Sequence, residues 1–401
     1  MTHDVVIVGG GPAGSTTALA LASAAAGLAA RIVVLEKARY PREKPCAGAL
    51  GARGDALLRE LGVEVAVPSV AVDGMSFRAA AGETVTAAPG SIGRVVRRFE
   101  FDAALARAVR ARGVEIREGV RVDRVTDDGV GATLETSAGP MRARVVAGCD
   151  GVGSVVRKAL GLGAGSLRAQ VVEVDTAPVR GDPDRRFLHF DASDRDLPGY
   201  AWDFPTVVDG RPLVCRGVYR LKLDADRGED GPDVSALLAA RLRAQGIDPA
   251  GCKNKRYAER GYEPTTCVAR GALMLVGEAA GIDPVTGEGI AQAIEYGALA
   301  GRFLARRLTS DDGLPSVAGW QDEVAASRLA RDLRIRTRFV RLFYGPARPR
   351  VERFLTETPD ALFVGSQHFA AQPYDWLKLA DVLTRGASEL LGLTIEDALE
   401  R

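Results

Sequence analysis

The residues with the clearest chemical potential lie near the start of the chain, in the run Gly9-Gly10-Gly11-Pro12-Ala13-Gly14. The apolar run before it, Asp4-Val5-Val6-Ile7-Val8, is typical of a buried parallel strand, and the Ala/Leu-rich run over 15–26 is typical of a helix. The first and third glycines let backbone amides approach a pyrophosphate at the helix N-terminus, and the last glycine lets the helix pack close to the strand. The spacing therefore predicts a nucleotide site.

A carboxylate in the expected place supports this interpretation. A second apolar run, Arg31-Ile32-Val33-Val34-Leu35, ends in Glu36. An acidic residue about 20 positions after the glycines is where the hydroxyl groups of a ribose are bound. From these residues alone the alternative is a glycine turn in an ordinary α/β domain, with Glu36 merely solvated.

Composition limits the classes of protein. At 401 residues, with 46% hydrophobic and 26% charged residues, the chain is long enough for two or three globular domains. Lys and Arg number 53 against 52 Asp and Glu, so the net charge of +1 gives no global field that would attract nucleic acid. No apolar run reaches the roughly 18 residues of a membrane-spanning helix, and no basic leader precedes the first strand. We therefore expect a cytoplasmic protein without nucleic-acid partners.

Metal and disulfide chemistry is not expected. The five cysteines contain no C-x-x-C pair and are widely spaced, at Cys46, Cys149, Cys215, Cys252 and Cys267. The three histidines, His3, His189 and His368, are also scattered along the chain. The sequence therefore predicts neither a metal site nor a histidine-based triad.

Hydrophobic patterns predict a nucleotide-binding fold that a second domain interrupts. Buried-strand patterns at 144–148 and 273–276 continue the α/β fold, whereas longer alternating strands between 166 and 267 indicate a mostly antiparallel sheet. The predicted class is α/β (α+β overall). Its parts are a Rossmann-like domain of residues 1–70, 95–165 and 268–330, a β-rich substrate domain of residues 71–94 and 166–267, and a C-terminal helical region of residues 331–401.

Three segments in this order resemble one flavoprotein superfamily. They are Gly9 to Gly14, Asp150-Gly151, and Gly277 to Ile290, and they are similar to the FAD-dependent para-hydroxybenzoate hydroxylase-like proteins, which include aromatic hydroxylases, flavin halogenases and geranylgeranyl reductases. The resemblance implies that the first segment holds the FAD pyrophosphate and that Glu278, where the family usually has Asp, holds the ribityl chain. The helix that begins near Gly287 would point its amides at the flavin and favour the reduced cofactor.

The resemblance extends to further cofactor contacts. Arg98, in the pattern Arg-x-x-Phe-Asp, is similar to an arginine that holds the phosphates or the ribityl chain, with Arg97 as the alternative register. Asp150-Gly151 is similar to a pair associated with FAD and nicotinamide handling, a structural turn being the alternative. The expected FAD-binding set is Gly9, Gly11, Pro12, Ala13, Gly14, Glu36, Lys37, Cys46, Ala47, Arg98, Val125, Asp150, Gly277, Glu278, Pro284, Gly287, Gly289 and Ile290.

One loop points to the reductase branch. Lys44-Pro45-Cys46-Ala47-Gly48 resembles the K-x-C-x-G stretch of geranylgeranyl reductases, in which a cysteine lies near the isoalloxazine. The resemblance implies that Cys46 donates a proton to the carbon left after hydride addition, or tunes the flavin. A small apolar loop residue is the alternative.

An aromatic segment predicts the substrate site. Tyr200-Ala201-Trp202-Asp203-Phe204-Pro205 resembles the reductases' Y-x-W-x-F-P segment. Because side chains alternate along a strand, Tyr200, Trp202 and Phe204 project from one face. We expect these three residues to bind substrate in an apolar cavity, and Tyr200 and Trp202 to join Cys46 in the catalytic set. The alternative is that they form only the core of the second domain.

The resemblance implies an FAD-dependent oxidoreductase most similar to the geranylgeranyl reductases. Reduced flavin would deliver hydride to a C=C bond of a hydrophobic, prenyl-like substrate, with NAD(P)H or another reductant as electron donor. The alternatives are a monooxygenase acting on an aromatic or polyketide-like compound, then a halogenase, and lastly a flavin-binding sensor. The Arg-rich helices after Ser316 indicate either peripheral membrane contact or a solvated helical face.

Overall fold

The computed structural model describes residues 2–24, 27–222, 232–309, 317–358 and 360–391. The strands, in chain order, are β1 (Thr2–Val8), β2 (Ile32–Glu36), β3 (Ala49–Gly51), β4 (Ser69–Val72), β5 (Gly74–Arg78), β6 (Thr84–Ala87), β7 (Gly93–Val96), β8 (Glu115–Glu118), β9 (Val122–Asp127), β10 (Ala132–Thr136), β11 (Gly139–Gly148), β12 (Arg168–Thr176), β13 (Phe187–Asp191), β14 (Gly199–Val208), β15 (Arg211–Lys222), β16 (Lys255–Arg260), β17 (Ala269–Arg270) and β18 (Leu273–Leu275). The helices are α1 (Pro12–Ala24), α2 (Ala52–Glu60), α3 (Arg98–Ala111), α4 (Val155–Ala159), α5 (Val234–Ala244), α6 (Ile290–Leu308), α7 (Trp320–Ala326), α8 (Arg328–Tyr344), α9 (Arg348–Glu357), α10 (Ala361–Ala370) and α11 (Trp376–Leu391).

The first sheet has a Rossmann-like core. Its strand order over the described residues is β17-β18-β11-β1-β2-β8, with β10 pairing β11 and β9 pairing β10. β1 lies between β11 and β2 and is parallel to both, with Val5 opposite Val145 on one side and Ile32 on the other. These side chains are fully buried, as expected for a parallel sheet that is covered on both faces. The predicted α/β class is confirmed.

Helices α1 and α6 pack directly on each other beside this sheet. Two glycines of α6 allow the contact: a Cβ at Gly297 would lie 2.5 Å from the Ala13 carbonyl oxygen, and a Cβ at Gly301 would lie 2.6 Å from the Thr17 carbonyl oxygen. The backbones therefore approach more closely than helices with larger side chains allow. As a result the loop before α6 is held against the glycine turn before α1.

The second sheet is mostly antiparallel. Its order is β16-β12-β15-β14-β13-β5-β6, and β13 and β5 form its one parallel pair within the described residues. Helix α5 packs on β12 and β15 at one face, around Val172, Val174 and Leu238. The opposite face carries the aromatic residues of β14. The predicted antiparallel sheet is therefore present. Its strands β12 to β16 lie between β11 and β18 in the chain, whereas β5 and β6 precede β11.

A third, small sheet crosses the predicted domain limits. It has the order β3-β7-β4, so the predicted limits at residues 70 and 94 fall inside β4 and β7. Of the predicted 71–94 segment, β5 and β6 join the second sheet. The predicted limit at residue 330 falls inside α8, which begins at Arg328. The limits differ because alternation identifies a short strand but not the distant strand with which it pairs.

Gly301→Ala should destabilise the protein, because the added methyl group would press on Thr17 and Ala20 of α1. Overpacking of this kind costs about 1–3 kcal/mol, and we expect the free energy of unfolding in urea to fall by about that amount. Gly365→Ala in α10 is the matched control, since a Cβ there meets nothing within 4 Å. The control should not lower the free energy of unfolding and should raise it by up to about 1 kcal/mol. Equal effects of the two substitutions would contradict the close α1–α6 contact.

Candidate cofactor and substrate site

At two glycines of the turn between β1 and α1, the backbone leaves no room for a side chain. Gly9 has φ +99°, and a Cβ there would overlap the Cys149 carbonyl group. A Cβ on Gly14 would overlap the Gly9 carbonyl oxygen. At Gly11, in contrast, the nearest atom to a Cβ would be 3.5 Å away, on Arg98. Gly9 and Gly14 therefore shape the turn, whereas Gly11 keeps the space beside it open for a ligand.

Glu36 fixes this turn from the end of β2. Its Oε2 accepts a hydrogen bond from the Gly10 N–H at 3.0 Å, and its Oε1 accepts one from the Ala38 N–H at 3.0 Å. The Arg42 guanidinium lies 3.4 Å from the same carboxylate. The buried carboxylate thus stands next to the glycine turn, where ribose hydroxyl groups are bound in nucleotide folds.

The structure resolves the register of the two adjacent arginines. Arg97 points to the second sheet, where its guanidinium lies 2.5 Å from Asp175. Arg98 lies on the opposite side, in the wall of the cavity, and donates two hydrogen bonds of 2.7 Å to the buried Asp102. Asp102 therefore holds the Arg98 side chain in one orientation beside Gly11.

Asp150 and Glu278, two of the buried carboxylates in the cavity wall, have unused hydrogen-bonding capacity. Asp150, after β11, accepts a hydrogen bond from the Val155 N–H at 2.7 Å through Oδ2, but its Oδ1 has no partner in the described part of the chain. Glu278 Oε1 is likewise buried and without a partner among those residues. Burial raises the pKa of both carboxyl groups. Because unpartnered buried oxygens are costly, both sites favour a ligand with hydroxyl groups.

A cavity of about 530 Å³ joins these elements to the second sheet. At one end lie the glycine turn, Glu36 and Arg98, and at the other lies the aromatic face of β14. The volume is in the range of pockets for cofactors and small molecules, about 300–1,000 Å³. The site is therefore continuous from the nucleotide end to the aromatic end.

The sheet wall of this cavity is largely aromatic. Tyr200 stacks on Tyr219 with ring centroids 5.1 Å apart, and Phe190 makes edge contacts at 5.2 Å with Tyr200 and Phe204. Antiparallel pairing places Tyr219 opposite Tyr200 and so puts their rings side by side. The residues of the sheet that line the cavity are Val171, Leu188, Phe190, Tyr200, Trp202, Phe204, Tyr219, Tyr257 and Glu259.

Trp202 occupies a place that a glycine leaves free. Gly217 lies opposite Trp202 on β15, and a Cβ at Gly217 would overlap the indole ring. The three predicted aromatics Tyr200, Trp202 and Phe204 also belong to the hydrophobic core of the second sheet. Both interpretations of this segment are thus compatible with the geometry, because the same side chains form the core and face the cavity.

The loop with Cys46 is anchored to the second sheet. The Cys46 N–H donates to Glu173 Oε1 at 3.0 Å, and the Tyr257 hydroxyl donates to Glu173 Oε2 at 3.1 Å. Lys44 Nζ lies 5.3 Å from the centre of the Tyr257 ring. Burial raises the pKa of the Cys46 thiol, Arg98 opposes the shift and Glu173 adds to it. The raised pKa favours the neutral thiol, and Cys46 lines the cavity.

The structure brings most of the predicted site residues together. Those that line the cavity are Gly9, Gly11, Pro12, Ala13, Glu36, Lys37, Cys46, Ala47, Arg98, Asp150, Tyr200, Trp202, Phe204, Glu278, Gly287, Gly289 and Ile290. They come from both sheets and from loops nearly three hundred residues apart. Their individual roles stay predictions.

Four predicted residues lie outside the cavity wall. Gly14 and Gly277 act in packing, since a Cβ on Gly277 would lie 2.8 Å from the Ala13 Cβ. The Pro284 carbonyl group accepts a hydrogen bond from the Tyr219 hydroxyl at 3.0 Å. Val125 is buried in the core of the first sheet, because it points away from the cavity, and the residues 120–122 before it line the wall instead.

Several residues of the wall were missing from the sequence prediction. Tyr219, Tyr257, Glu259 and Glu288 line the cavity, and Glu173 anchors its Cys46 loop. Alternation along β16 places Tyr257 and Glu259 on one face, which was a usable signal. Glu288 lies within the predicted loop 277–290, between Gly287 and Gly289.

Comparison with known proteins identifies the family. Residues 2–314 match the family model described as FAD binding domain. The chain belongs to this family of FAD-binding proteins. Among its relatives, digeranylgeranylglycerophospholipid reductase 2 of Methanopyrus kandleri is 30% identical over 337 residues, covering 78% of this chain and 79% of that protein. The menaquinone reductase of Mycobacterium tuberculosis is 30% identical over 330 residues, covering 76% and 77%.

Solved structures share the fold. A geranylgeranyl bacteriochlorophyll reductase-like protein from Thermoplasma acidophilum is 19% identical with a TM-score of 0.66, over 100% of this chain and 98% of that chain. The anhydrotetracycline hydroxylase of Streptomyces rimosus is 21% identical with a TM-score of 0.63, over 94% and 78%. The predicted membership in the FAD-dependent hydroxylase-like superfamily is confirmed, and the chain is an FAD-dependent oxidoreductase with geranylgeranyl-reductase-like relatives.

The residues present fit FAD. The turn at Gly11 leaves space for a pyrophosphate at the start of α1, and Glu36 lies where ribose hydroxyl groups are held. The unpartnered oxygens of Asp150 and Glu278 would accept hydroxyl groups of a ribityl chain. Helix α6 begins at Ile290 at the cavity edge, where its free N–H groups favour negative charge on a reduced flavin.

Neither a membrane-spanning helix nor a cluster of metal-ligating side chains is present in the part of the chain that the structure describes. No helix there is long and apolar enough to cross a membrane. No group of three or more His, Cys, Asp and Glu side chains there has a geometry that would hold a metal ion.

Gly11→Ala should weaken FAD binding without unfolding the protein, because its methyl group has room in the protein but would occupy the space of the pyrophosphate. We expect the dissociation constant of FAD, measured by flavin fluorescence on titration of apoprotein, to rise about ten-fold or more, a loss of about 1.4 kcal/mol. The melting temperature of the apoprotein should stay unchanged. Gly163→Ala, at a position open to solvent and away from the cavity, is the control and should leave the affinity unchanged. Normal FAD affinity in Gly11→Ala would refute the assignment of the turn.

Proposed function

We propose that this FAD-dependent oxidoreductase reduces carbon–carbon double bonds of a hydrophobic, prenyl-like substrate. The observation that carries the proposal is the aromatic wall formed around Tyr200, Trp202 and Phe204, which continues the same cavity as the FAD-binding elements. Apolar walls with a few polar groups at one end are typical of sites for hydrophobic ligands. An extended apolar chain would lie along β13 and β14.

The protein's own residues would bind the chain, exclude water and hold a proton. Bound FAD, when reduced, supplies the hydride. Tyr200 is fixed by its hydrogen bond to the Thr286 carbonyl oxygen, and Tyr219 by its bond to Pro284, so the wall is rigid. The neutral thiol of Cys46 is the proposed proton donor, and Glu173 positions it through the Cys46 N–H.

The reductase branch is supported by the names of the relatives. The two relatives at 30% identity are described as reductases, one of digeranylgeranylglycerophospholipid and one of menaquinone. The hydroxylases and halogenases among the solved structures resemble this chain in fold only. Electron supply by NAD(P)H or another two-electron reductant is part of the proposal.

Contact with a membrane surface is a further part of the proposal, since a lipid substrate resides there. Helix α11 exposes three large apolar side chains, with 75% of Trp376, 86% of Leu377 and 63% of Leu383 accessible to solvent. Lys378 lies in the same helix, paired with Asp360. An apolar face beside basic groups suits the interface of a bilayer.

Anaerobic reoxidation should separate reductase from monooxygenase. We expect the chemically reduced holoprotein to be reoxidised by geranylgeranyl substrates without oxygen, because the double bond accepts the hydride. Flavin absorbance follows the oxidation, and mass spectrometry detects a product heavier by two hydrogen atoms. Reoxidation that requires oxygen, with oxygen incorporated into an aromatic candidate, would overturn the proposal in favour of a monooxygenase.

Cys46→Ala should slow substrate reduction by roughly 10²-fold, the range for loss of a general acid. FAD binding should stay near normal, because the Glu173 bond involves the backbone of residue 46 and persists. Cys215→Ala is the matched control, since that thiol is buried in the second sheet but does not line the cavity. Unchanged turnover in Cys46→Ala would remove this thiol from the mechanism.

A further inference from the structure

Glu288 lies between two cavities. Its side chain lines the main cavity and also a second cavity of about 30 Å³. Its Oε2 accepts a hydrogen bond from Gln292 Nε2 at 3.2 Å. Its Oε1 is buried and has no partner within the described residues. One oxygen of this carboxyl group is therefore held in place and the other is free to exchange a proton.

The small cavity is polar and reaches toward the surface. Its charged and polar lining residues are Arg53, Gln292, Glu295, Arg328, Asp332, Arg336 and His368. A cavity of this volume with several polar partners has room for ordered water. The side chains of Arg328 and Asp332 are 52% and 27% exposed to solvent. A short polar path thus leads from solvent to Glu288 without crossing the main cavity.

The surrounding charges suit exchange near neutral pH. Burial raises the pKa of Glu288 to about 7, with Asp283 and Glu295 adding to the shift and Arg336 opposing it. Arg336 is itself paired with Asp283. The other charged or titratable groups around the small cavity are Arg53, which pairs with Glu295, and Arg328, Asp332 and His368. A carboxyl group with such a pKa both accepts and releases protons at pH 7.

We propose that Glu288 exchanges protons between the main cavity and solvent through the small cavity. Hydride chemistry moves a proton separately from the hydride, and a cavity filled by cofactor and substrate needs a path that does not pass the substrate. Glu288 would release its proton toward the main cavity and take another from water in the small cavity. The step moves protons alone, forms no bond to carbon and needs no reductant. It requires a bound flavin but is independent of the proposed prenyl substrate.

The first test follows the visible absorption of the oxidised holoprotein from about pH 5.5 to about pH 9, where free oxidised flavin does not titrate. Ionisation of Glu288 in the cavity wall should shift the flavin band with a midpoint near pH 7. Glu288→Gln should abolish the shift. Glu295→Gln should retain it, because Glu295 lies in α6 and lines the small cavity but not the main one. Absence of the transition in the unmodified protein, or its persistence in Glu288→Gln, would overturn the proposal.

The second test measures the path. After a rapid jump in pH, the same absorption change reports how fast Glu288 equilibrates with solvent. Leu333→Phe fills the small cavity, and we expect the relaxation to slow about ten-fold or more while the midpoint stays near pH 7. Ala291→Leu is the second filling variant, to be used if the first lowers the melting temperature. An unchanged rate in a folded, filled variant would show that protons reach Glu288 through the main cavity, and would overturn the proposed path.

Discussion

The contact between α1 and α6 is the constraint on which the rest of the site depends. The glycine turn before α1 and the loop before α6 lie almost three hundred residues apart, and Gly297 and Gly301 let the two helices that follow them touch. Because each helix begins at the cavity, their positions determine where both ends of the cofactor site lie. The first sheet supports this pair, and the second sheet covers the open side.

Buried charge gives the site its chemical character. Asp150, Glu278 and Glu288 each keep one oxygen without a partner in the part of the chain that is described. In an ordinary protein core, buried oxygens without a partner lower the stability of the fold, and apolar side chains in the same positions would be more stable. Asp150 and Glu288 are each held by a neighbouring donor on their other oxygen, the Val155 N–H and the Gln292 amide group. The fold therefore tolerates unpartnered buried oxygens at this cavity. A hydrogen bond from a bound ligand, or protonation of the carboxyl group, can offset their free-energy cost.

The sequence allowed much of the fold to be predicted, and fewer than half of the residues that line the cavity. Gly9 to Gly14, Glu36 and the loop at 277–290 carry local patterns with a direct physical meaning, so their place in the site was accessible. The places of Glu173 and Tyr219 in the site could not be predicted, because they depend on which strands become neighbours in the second sheet. Val125 does not line the cavity, and a strand position alone does not say which face meets a cavity. The limits at residues 70 and 94 stay predictions, and they fall inside β4 and β7, which share a sheet with β3.

The insertion of β12 to β16 of the second sheet between β11 and β18 has a consequence for the order of assembly. During synthesis the glycine turn would emerge long before β18 and α6. One end of the FAD site is therefore synthesised early and the other end late. Contacts between such distant segments form slowly, because a long loop must close before they are made. If FAD binds only when both ends of the site are in place, it would stabilise the fully folded chain by mass action. The flavin content of the purified protein would thus report the fraction of chains that are folded up to and including α6.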